Sequence, residues 1–443
     1  MNRRRFIQSG TAAALLAAGA PSSLKSKAPA SAPVRIGIIG TGLRGTGHLR
    51  NLLYRDDVNI PAICDIDTGR IPIAQNLLRE AGHEPADAYT GSETAYQELL
   101  RRDDLDGVII ATPWIWHFPM AMDAMKAGVV PGLEVAGAFS VQECWDLVET
   151  YESSGTPMMF LENVCYRRDV MAVLNMVRQG LFGEMIHAQC GYQHDLREVK
   201  FARGAEFGAA GKHESVWRTA HSLYRNGDLY PTHGLGPVSV YFDINRGNRF
   251  VSLTSTATKS RGLHEYIVAR GGEDHPNARL KFKLGDIVTT MINCSRGETI
   301  LVQHDTNLPR PYSLGFRLQG TRGLWMKDGD QLYIEGTSPE SHRWEPAAPY
   351  LEKYDHPLWK RHSERAVGSG HGGMDFFVLN AFVETLKRGV APPLDVYDAA
   401  AWSVITPLSE QSIAEGGAPQ AVPDFTRGRW MARRPAFGFG DEF

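Results

Sequence analysis

From Val34 onward, apolar and polar positions fall into two textures. In the first, short apolar runs ("VRIGIIG", "PAICD", "GVIIATP") are separated by stretches with apolar residues at helical spacing, such as "AYQELLRR" and "FPMAMDAMKAG". Strands that alternate with helices predict a parallel, doubly wound sheet, and "TPMMFLENV" reads as one more strand near its edge. After about Glu162 the texture changes. "DVMAVLNMVRQGLFGE" is an amphipathic helix ended by glycine, and long β-rich runs follow: "MIHAQCGYQ", "FVSLTSTATKS", "DIVTTMINCS", "TILVQHDT" and "YSLGFRLQGTRGLWMKDGDQLYIEG". Successive strands joined by turns predict a large, mostly antiparallel open sheet. Helices return at "MDFFVLNAFVETLKRG" and "DVYDAAAWSVITPLSEQSIAEG", and the tail beyond Phe425 reads as exposed. The predicted organisation is α/β: a nucleotide-binding type of domain over 33–160 and an α+β substrate domain over 161–443.

Composition bounds this picture without changing it. The chain has 443 residues, 43% hydrophobic and 22% charged, with a formal net charge of −3. That is long enough for two domains and gives no electrostatic footprint for nucleic acid or an anionic membrane. The first residues do change it. Arg3, Arg4 and Arg5 precede a short apolar stretch, Thr11 to Gly19, which is too short to span a bilayer. "NRRRFIQ" resembles a twin-arginine signal, so residues 1–32 are expected to be an export signal and linker, and the protein to be exported, to the periplasm. Five cysteines lie scattered without CxxC spacing, which predicts buried reduced thiols rather than a disulfide framework or a metal site.

The chemistry begins at "GIIGTGLRGTG". Gly40-x-Gly42-x-x-Gly45 follows a strand and opens a helix, the arrangement in which glycines admit a pyrophosphate to the helix N-terminus. Gly40, Thr41, Gly42, Leu43, Arg44 and Gly45 are therefore expected to bind a dinucleotide on a Rossmann fold. Asp65, with Asp67 as a second candidate, ends the next strand, where an acid takes the ribose hydroxyls and favours NAD over its 2′-phosphate. The loop after the third strand, "ATPWIWH", should line the same crevice with Trp114, Trp116 and His117.

Three patches further on, "GLEVAGAFS", "ENVCYRRD" and "YPTHGLGPVSVYFD", make the chain similar to the superfamily of glucose–fructose oxidoreductase and inositol dehydrogenase. It departs from that superfamily twice. Glu134 is followed by Val135-Ala136 where Lys-Pro is usual, and Leu229 stands four residues before His233 where an aspartate is usual. Loss of the lysine removes the usual proton acceptor of a sugar dehydrogenase. Over its whole length, signal included, the sequence resembles glycoside hydrolase family 109, the NAD-dependent α-N-acetylgalactosaminidases, through "LENVCYRRDVMAVLNMVR", "GYQHDLR", "LYPTHGLGP" and "GSGHGGMDFF".

The resemblance implies hydrolysis without net use of NAD. The sugar is oxidised at C3, loses its C2 proton and then its C1 substituent, gains water and is reduced again. An exported enzyme can rely on NAD if it is loaded before export and never consumed. The resemblance also implies roles. Tyr166 becomes the C2 base, with a phenol pKa lowered by nearby charge such as Arg167, and His233 activates water or the C3 hydroxyl. Arg218, Tyr230 and Tyr312, with Tyr166 and His233, bind the sugar. Glu134 and Asn163 contact the cofactor. The expected partner is a small glycoside or glycan, and the superfamily implies a homo-oligomer. Two alternatives stay open on the residues alone: an exported oxidoreductase that recycles its own NAD, and a sugar-binding protein with a relic nucleotide site.

Overall fold

The computed structural model describes residues 32–202, 207, 214–440 and 443. The expected export signal lies outside the described residues.

The first sheet holds six parallel strands: β1 (Val34–Ile39), β2 (Val58–Cys64), β3 (Asp87–Tyr89), β4 (Gly107–Ile110), β5 (Val130–Leu133) and β6 (Met159–Phe160), in the order β3-β2-β1-β4-β5-β6. Helices cover both faces, so β4 and β5 are buried at every position and read as unbroken apolar runs. The order reverses between β1 and β4, and a crevice opens there at the C-terminal strand ends.

The second sheet holds nine strands: β7 (Met185–Gln193), β8 (Phe250–Ala257), β9 (Ile287–Cys294), β10 (Thr299–Asp305), β11 (Arg317–Gly320), β12 (Gly323–Met326), β13 (Gln331–Ile334), β14 (Glu345–Pro346) and β15 (Gln420–Ala421). Their order is β14-β13-β12-β11-β7-β10-β9-β8-β15, antiparallel throughout except that β10 runs parallel to β7. The fold expected from the pattern, a doubly wound parallel sheet followed by a large and mostly antiparallel one, is the fold found.

One packing contact places the site. The helix Thr232–Tyr241 lies against β7, and a Cβ on Gly234 would come within 2.5 Å of the Gly191 backbone nitrogen. A Cβ on Gly236 would meet Glu162 at 2.8 Å and Cys165 at 2.9 Å. The glycines of "THGLGP" therefore let His233 approach both β7 and Glu162.

Three local expectations need correction. The long helical stretch from Val396 is two helices, Val396–Ser403 and Ile405–Ala414, because the ring of Pro407 conflicts with the carbonyl four residues back, on Ser403. The three-residue strand β3 escaped the pattern, being too short to show alternation. The tail is exposed only in part: Met431 and Phe439 stand in solvent, but Phe437 is buried with its ring 4.9 Å from that of Tyr166, Arg427 and Arg429 pair with Glu152, and Arg433 pairs with Asp395. The five cysteines are free and buried. Among the described residues, no helix is long and apolar enough to cross a membrane.

Candidate active site

The helix Leu43–Leu52 starts at Gly42 with no side-chain cap, and the first intrahelical bond is from Thr46 N–H to the Gly42 carbonyl. The amides of Leu43, Arg44 and Gly45 are thus left without helical partners. Gly40 sits at φ +87°, where a Cβ would strike the Ala111 carbonyl at 2.7 Å, and a Cβ on Gly45 would overlap the Gly40 carbonyl oxygen. Over Gly42, by contrast, there is open space. A tight turn, free amides and room above them fit a dinucleotide pyrophosphate. Leu43 stands 80% exposed beside them, and Ile115 is exposed in the neighbouring loop. At the end of β2, the Asp65 carboxylate accepts from Thr41 N–H (2.7 Å) and Thr41 Oγ1 (3.0 Å), and its other oxygen accepts from Asp67 N–H (2.9 Å). Asp65 therefore shapes the turn as well as standing where a ribose is expected. Asp67 accepts only from the Gly69 amide and is exposed.

On the far side of the crevice, Glu134 follows β5. Its Oε1 accepts from Arg44 Nε (2.7 Å) and lies 2.6 Å from His48 Nε2. Burial alone would raise its pKa, but Arg44 and His48 hold it far below the usual carboxylate range. Arg44 also donates from Nη1 to Asp375 Oδ2 (2.7 Å), and Asn163 donates to Asp375 Oδ1 (2.8 Å). Val135 is buried where the superfamily lysine would stand, and Ala136 sits at φ +69°, which proline cannot adopt. The absence of the proline is thus built into the backbone. His117 does not present its ring to a cofactor, contrary to expectation. Its two nitrogens face the carbonyls of Ala136 (3.0 Å) and Thr112 (2.8 Å), so it braces that turn. Trp116 is half-buried and opens the helix that His117 starts.

The second domain brings an aromatic cluster to the crevice. Trp114 stacks on Tyr230 at 5.3 Å and meets Trp217 edge-on at 4.8 Å, with the Arg218 guanidinium 4.9 Å from the Trp114 ring centre. Arg218 is anchored by Glu214 at 2.6 Å. Beside Tyr230 lie Tyr192 (4.4 Å between centroids) and His233 (4.8 Å), while Tyr312, half exposed, stands 6.4 Å from Tyr192. His233 Nδ1 is 2.7 Å from Glu162 Oε1, and Glu162 is fully buried. An ionised Glu162 can only accept, so Nδ1 carries the proton and Nε2 is left as the basic nitrogen. Tyr192 O–H lies 3.0 Å from His194 Nδ1. Burial raises the Tyr192 pKa, while burial, then Arg218 and His233, lower that of His194 and keep it neutral. A neutral imidazole can therefore accept a hydrogen bond from the phenol.

The sequence reading missed Glu162 and Tyr192. Glu162 begins a quoted stretch, but nothing local shows that it reaches His233, 71 residues away. Tyr192 sits at an ordinary alternating position on β7, and only the adjoining Gly191 hints at a close approach. The aspartate missing at Leu229 is not restored by its neighbour: Asp228 accepts from Tyr230 N–H (3.3 Å). Glu162 occupies that role toward His233.

Tyr166 is a correction. Its side chain is 1% exposed, its hydroxyl has no hydrogen-bond partner among the described residues, and burial raises its pKa well above the usual value. Arg167 is held by Asp169 at 2.7 Å. A phenol sealed against Phe437 neither takes a proton from a sugar nor binds one. Tyr166→Phe is expected to leave kcat within about twofold and to keep or raise Tm, since it deletes an unpaired buried hydroxyl costing about 1–3 kcal/mol. A loss of activity beyond tenfold (about 1.4 kcal/mol) at unchanged Tm would reinstate the residue.

Asp228 gives a pH prediction. It is fully buried with Oδ2 unpartnered among the described residues, and burial pushes its pKa up to about 7. Its folded pKa is thus raised, so its favourable contribution is complete below about pH 4 and is lost as pH rises through 7, at about 1.4 kcal/mol per unit. In Asp228→Asn the fall of Tm between pH 4 and 7 should be shallower than in the native chain. Parallel Tm profiles in a thermal-melt series would refute it.

Residues 34–161 match the family model for the oxidoreductase family, NAD-binding Rossmann fold, and residues 166–432 match that for the glycosyl hydrolase 109 C-terminal domain. A glycosyl hydrolase family 109 protein of Stenotrophomonas maltophilia is 53% identical over 459 aligned positions, covering 100% of this chain and 99% of its own. An alpha-N-acetylgalactosaminidase of Tannerella forsythia is 50% identical over 463, covering 98% and 99%. Among solved structures, an NAD-binding oxidoreductase from Klebsiella pneumoniae superposes with TM-score 0.68 at 17% identity, covering 89% of this chain and 100% of its own. An inositol dehydrogenase homologue from Azotobacter vinelandii, complexed with NAD⁺, gives 0.63 at 18%, covering 88% and 98%. These two share the fold. A Rossmann turn shaped for NAD and a second domain matched over most of its length lead to one assignment. The chain belongs to glycoside hydrolase family 109 and is an NAD-binding glycosidase.

Proposed function

We propose that this enzyme releases terminal α-linked N-acetylgalactosamine from glycosides by oxidation, elimination, addition and reduction. The observation that carries the reading is the pair of proton carriers at the crevice, His233 on Glu162 and Tyr192 on His194. Ordinary glycosidases instead use two carboxylates about the glycosidic bond. Here Glu134 is bound to Arg44 and His48, Glu162 to His233, and Glu214 to Arg218. The relatives named alpha-N-acetylgalactosaminidase support the choice of sugar.

In this reading Gly40, Thr41, Gly42, Leu43, Arg44 and Gly45 hold the pyrophosphate. Asp65 holds the adenosine ribose, and Glu134, Asn163 and the loop with Trp114 and Trp116 hold the nicotinamide end. Bound NAD⁺ supplies a hydride acceptor that returns the hydride at the end of each turnover. His233 Nε2 takes the proton of the C3 hydroxyl as it becomes a ketone, with Glu162 stabilising the imidazolium. Tyr192 takes the C2 proton, now acidified, as its own passes to His194. Arg218, Tyr230 and Tyr312 orient the sugar. We also propose twin-arginine export to the periplasm, supported by Arg3-Arg4 and the apolar stretch after them. Substituting that pair should hold the protein in the cytoplasmic fraction.

The test follows an α-N-acetylgalactosaminide in D₂O by NMR. Released sugar carrying deuterium at C2 is the expected result. Sugar released with protium alone at C2, and without a kinetic isotope effect from a substrate deuterated at C3, would reject the redox route. No release from this or related α-glycosides would reject the substrate.

A further inference from the structure

Asp375 lies in the first turn of the helix Met374–Arg388, which packs its Phe382 and Leu386 against Gly107 and Gly132 of the first sheet, and its carboxylate is 3% exposed and faces the nucleotide crevice. Its two oxygens divide between two side chains placed at the cofactor. Oδ1 accepts from Asn163 (2.8 Å), and Oδ2 accepts from Arg44 Nη1 (2.7 Å), across 331 residues of chain. His371 Nδ1 lies 2.8 Å from the same Oδ2 and 3.2 Å from Arg44 Nη1. The Arg44 guanidinium starts beside the pyrophosphate turn and spans to Glu134 on one side and Asp375 on the other. Its Nη2 has no hydrogen-bond partner among the described residues and is available to a phosphate oxygen.

The local backbone is shaped to deliver this contact. His371 (φ +54°), Gly372 (+68°) and Gly373 (+102°) lie consecutively in the left-handed region. A Cβ on Gly373 would meet Trp359 at 2.8 Å, and one on Gly370 would overlap Asp375 Oδ2. The two glycines adopt that region freely, but a non-glycine such as His371 is held there only where the surroundings impose it. An acid in a helix's first turn is favourable to the helix by itself, but that would leave it in water. Here the carboxylate is buried, and burial alone would raise its pKa. His371 and Arg44 instead hold it far below the ordinary range.

We propose that Asp375, braced by His371, is a positioning residue for the cofactor. It ties Arg44 to Asn163, fixes the guanidinium beside the pyrophosphate turn and so slows release of NAD. The proposal rests on NAD being bound, and not on the sugar chemistry. For an enzyme that regenerates its NAD at every turnover, retention decides how many turnovers one loaded molecule performs.

The experiment follows exchange of bound NAD for isotopically labelled NAD⁺ in the purified holoenzyme, without substrate, with the NAD content after gel filtration measured alongside. Asp375→Asn is expected to exchange at least about tenfold faster, a change in the dissociation rate, and to lose NAD on the column. In an Arg44→Ala background the same substitution should change exchange much less, by what the Asn163 contact alone contributes, because the Arg44 contact is already gone. Wild-type exchange in a folded Asp375→Asn overturns the proposal. So does a full, additive effect in the Arg44→Ala background, which would mark a merely structural role. If Asp375→Asn does not fold, His371→Ala decides. Its side chain is 58% exposed, so the fold tolerates it, and several-fold faster exchange is expected. Unchanged exchange there overturns the proposal. An enzyme that holds NAD but cleaves no glycoside would sink the catalytic reading alone and leave these exchange rates interpretable.

Discussion

His233→Ala is expected to lower kcat by roughly 10²–10⁴-fold, the range that positioned acid–base groups contribute, with NAD content close to native and a lower Tm because buried Glu162 loses its ring partner. The ring is one of few polar groups at the crevice with a nitrogen left over, since Nδ1 is taken by Glu162. Glu162→Gln should fall in the lower part of that range. The amide keeps the shape but loses the charge that stabilises an imidazolium. Because Glu162 Oε1 also accepts from the Val164 amide at 3.1 Å, the Gln side chain has a reason to stay in place. Single-turnover measurements with an activated aryl glycoside separate this chemistry from product release. Less than a tenfold loss in both variants (about 1.4 kcal/mol) would remove the pair from the proton path.

The second large effect concerns two glycines three residues apart. Gly45→Ala places a methyl onto the Gly40 carbonyl oxygen, and backbone cannot move aside as a side chain would. The helix Leu43–Leu52 must withdraw from β1, and overpacking of this kind costs about 1–3 kcal/mol and sometimes more. Both Tm and NAD binding are expected to fall. Gly42→Ala differs, because nothing lies within 4 Å of its added Cβ. The free protein should melt as the native one does, while NAD binding weakens at least about tenfold (1.4 kcal/mol), since the methyl enters the space meant for phosphate. Melting each apo-protein and titrating it with NAD⁺ distinguishes the two. Equal behaviour of the two variants would refute the geometry.

The fold was legible because both sheets announce themselves by period. β1, β4 and β5 are buried on both faces and read as apolar runs, and "MIHAQCGYQ" coincides with β7 from end to end. The nucleotide turn was legible because spacing and chemistry coincide in Gly40, Gly42 and Gly45. The second domain's contribution was legible only in part. His233 was found through its flanking Tyr230, Pro231 and Gly234, but its partner Glu162 and its neighbour Tyr192 come from other elements, and contacts between elements leave no period in a sequence. Tyr166 shows the converse error. A tyrosine between a cysteine and an arginine looks active, but its surroundings are decided by Phe437, near the far end of the chain. The same holds for Asp375, whose neighbours Phe376 and Phe377 suggest only a core helix until Arg44 is seen beside it.

The single parallel pairing in the second sheet bears on how the protein is made. Strand β7 aligns with β10 so that His187 meets Thr299, 112 residues later in the chain. On its other side β7 pairs with β11, which is later still. A growing chain that has produced β7 thus carries two unmated strand edges until nearly three-quarters of its length exists, and such edges invite pairing with strangers. Non-local pairings are also slow to form. Refolding from denaturant is expected to be slow and to improve in yield as the protein is diluted.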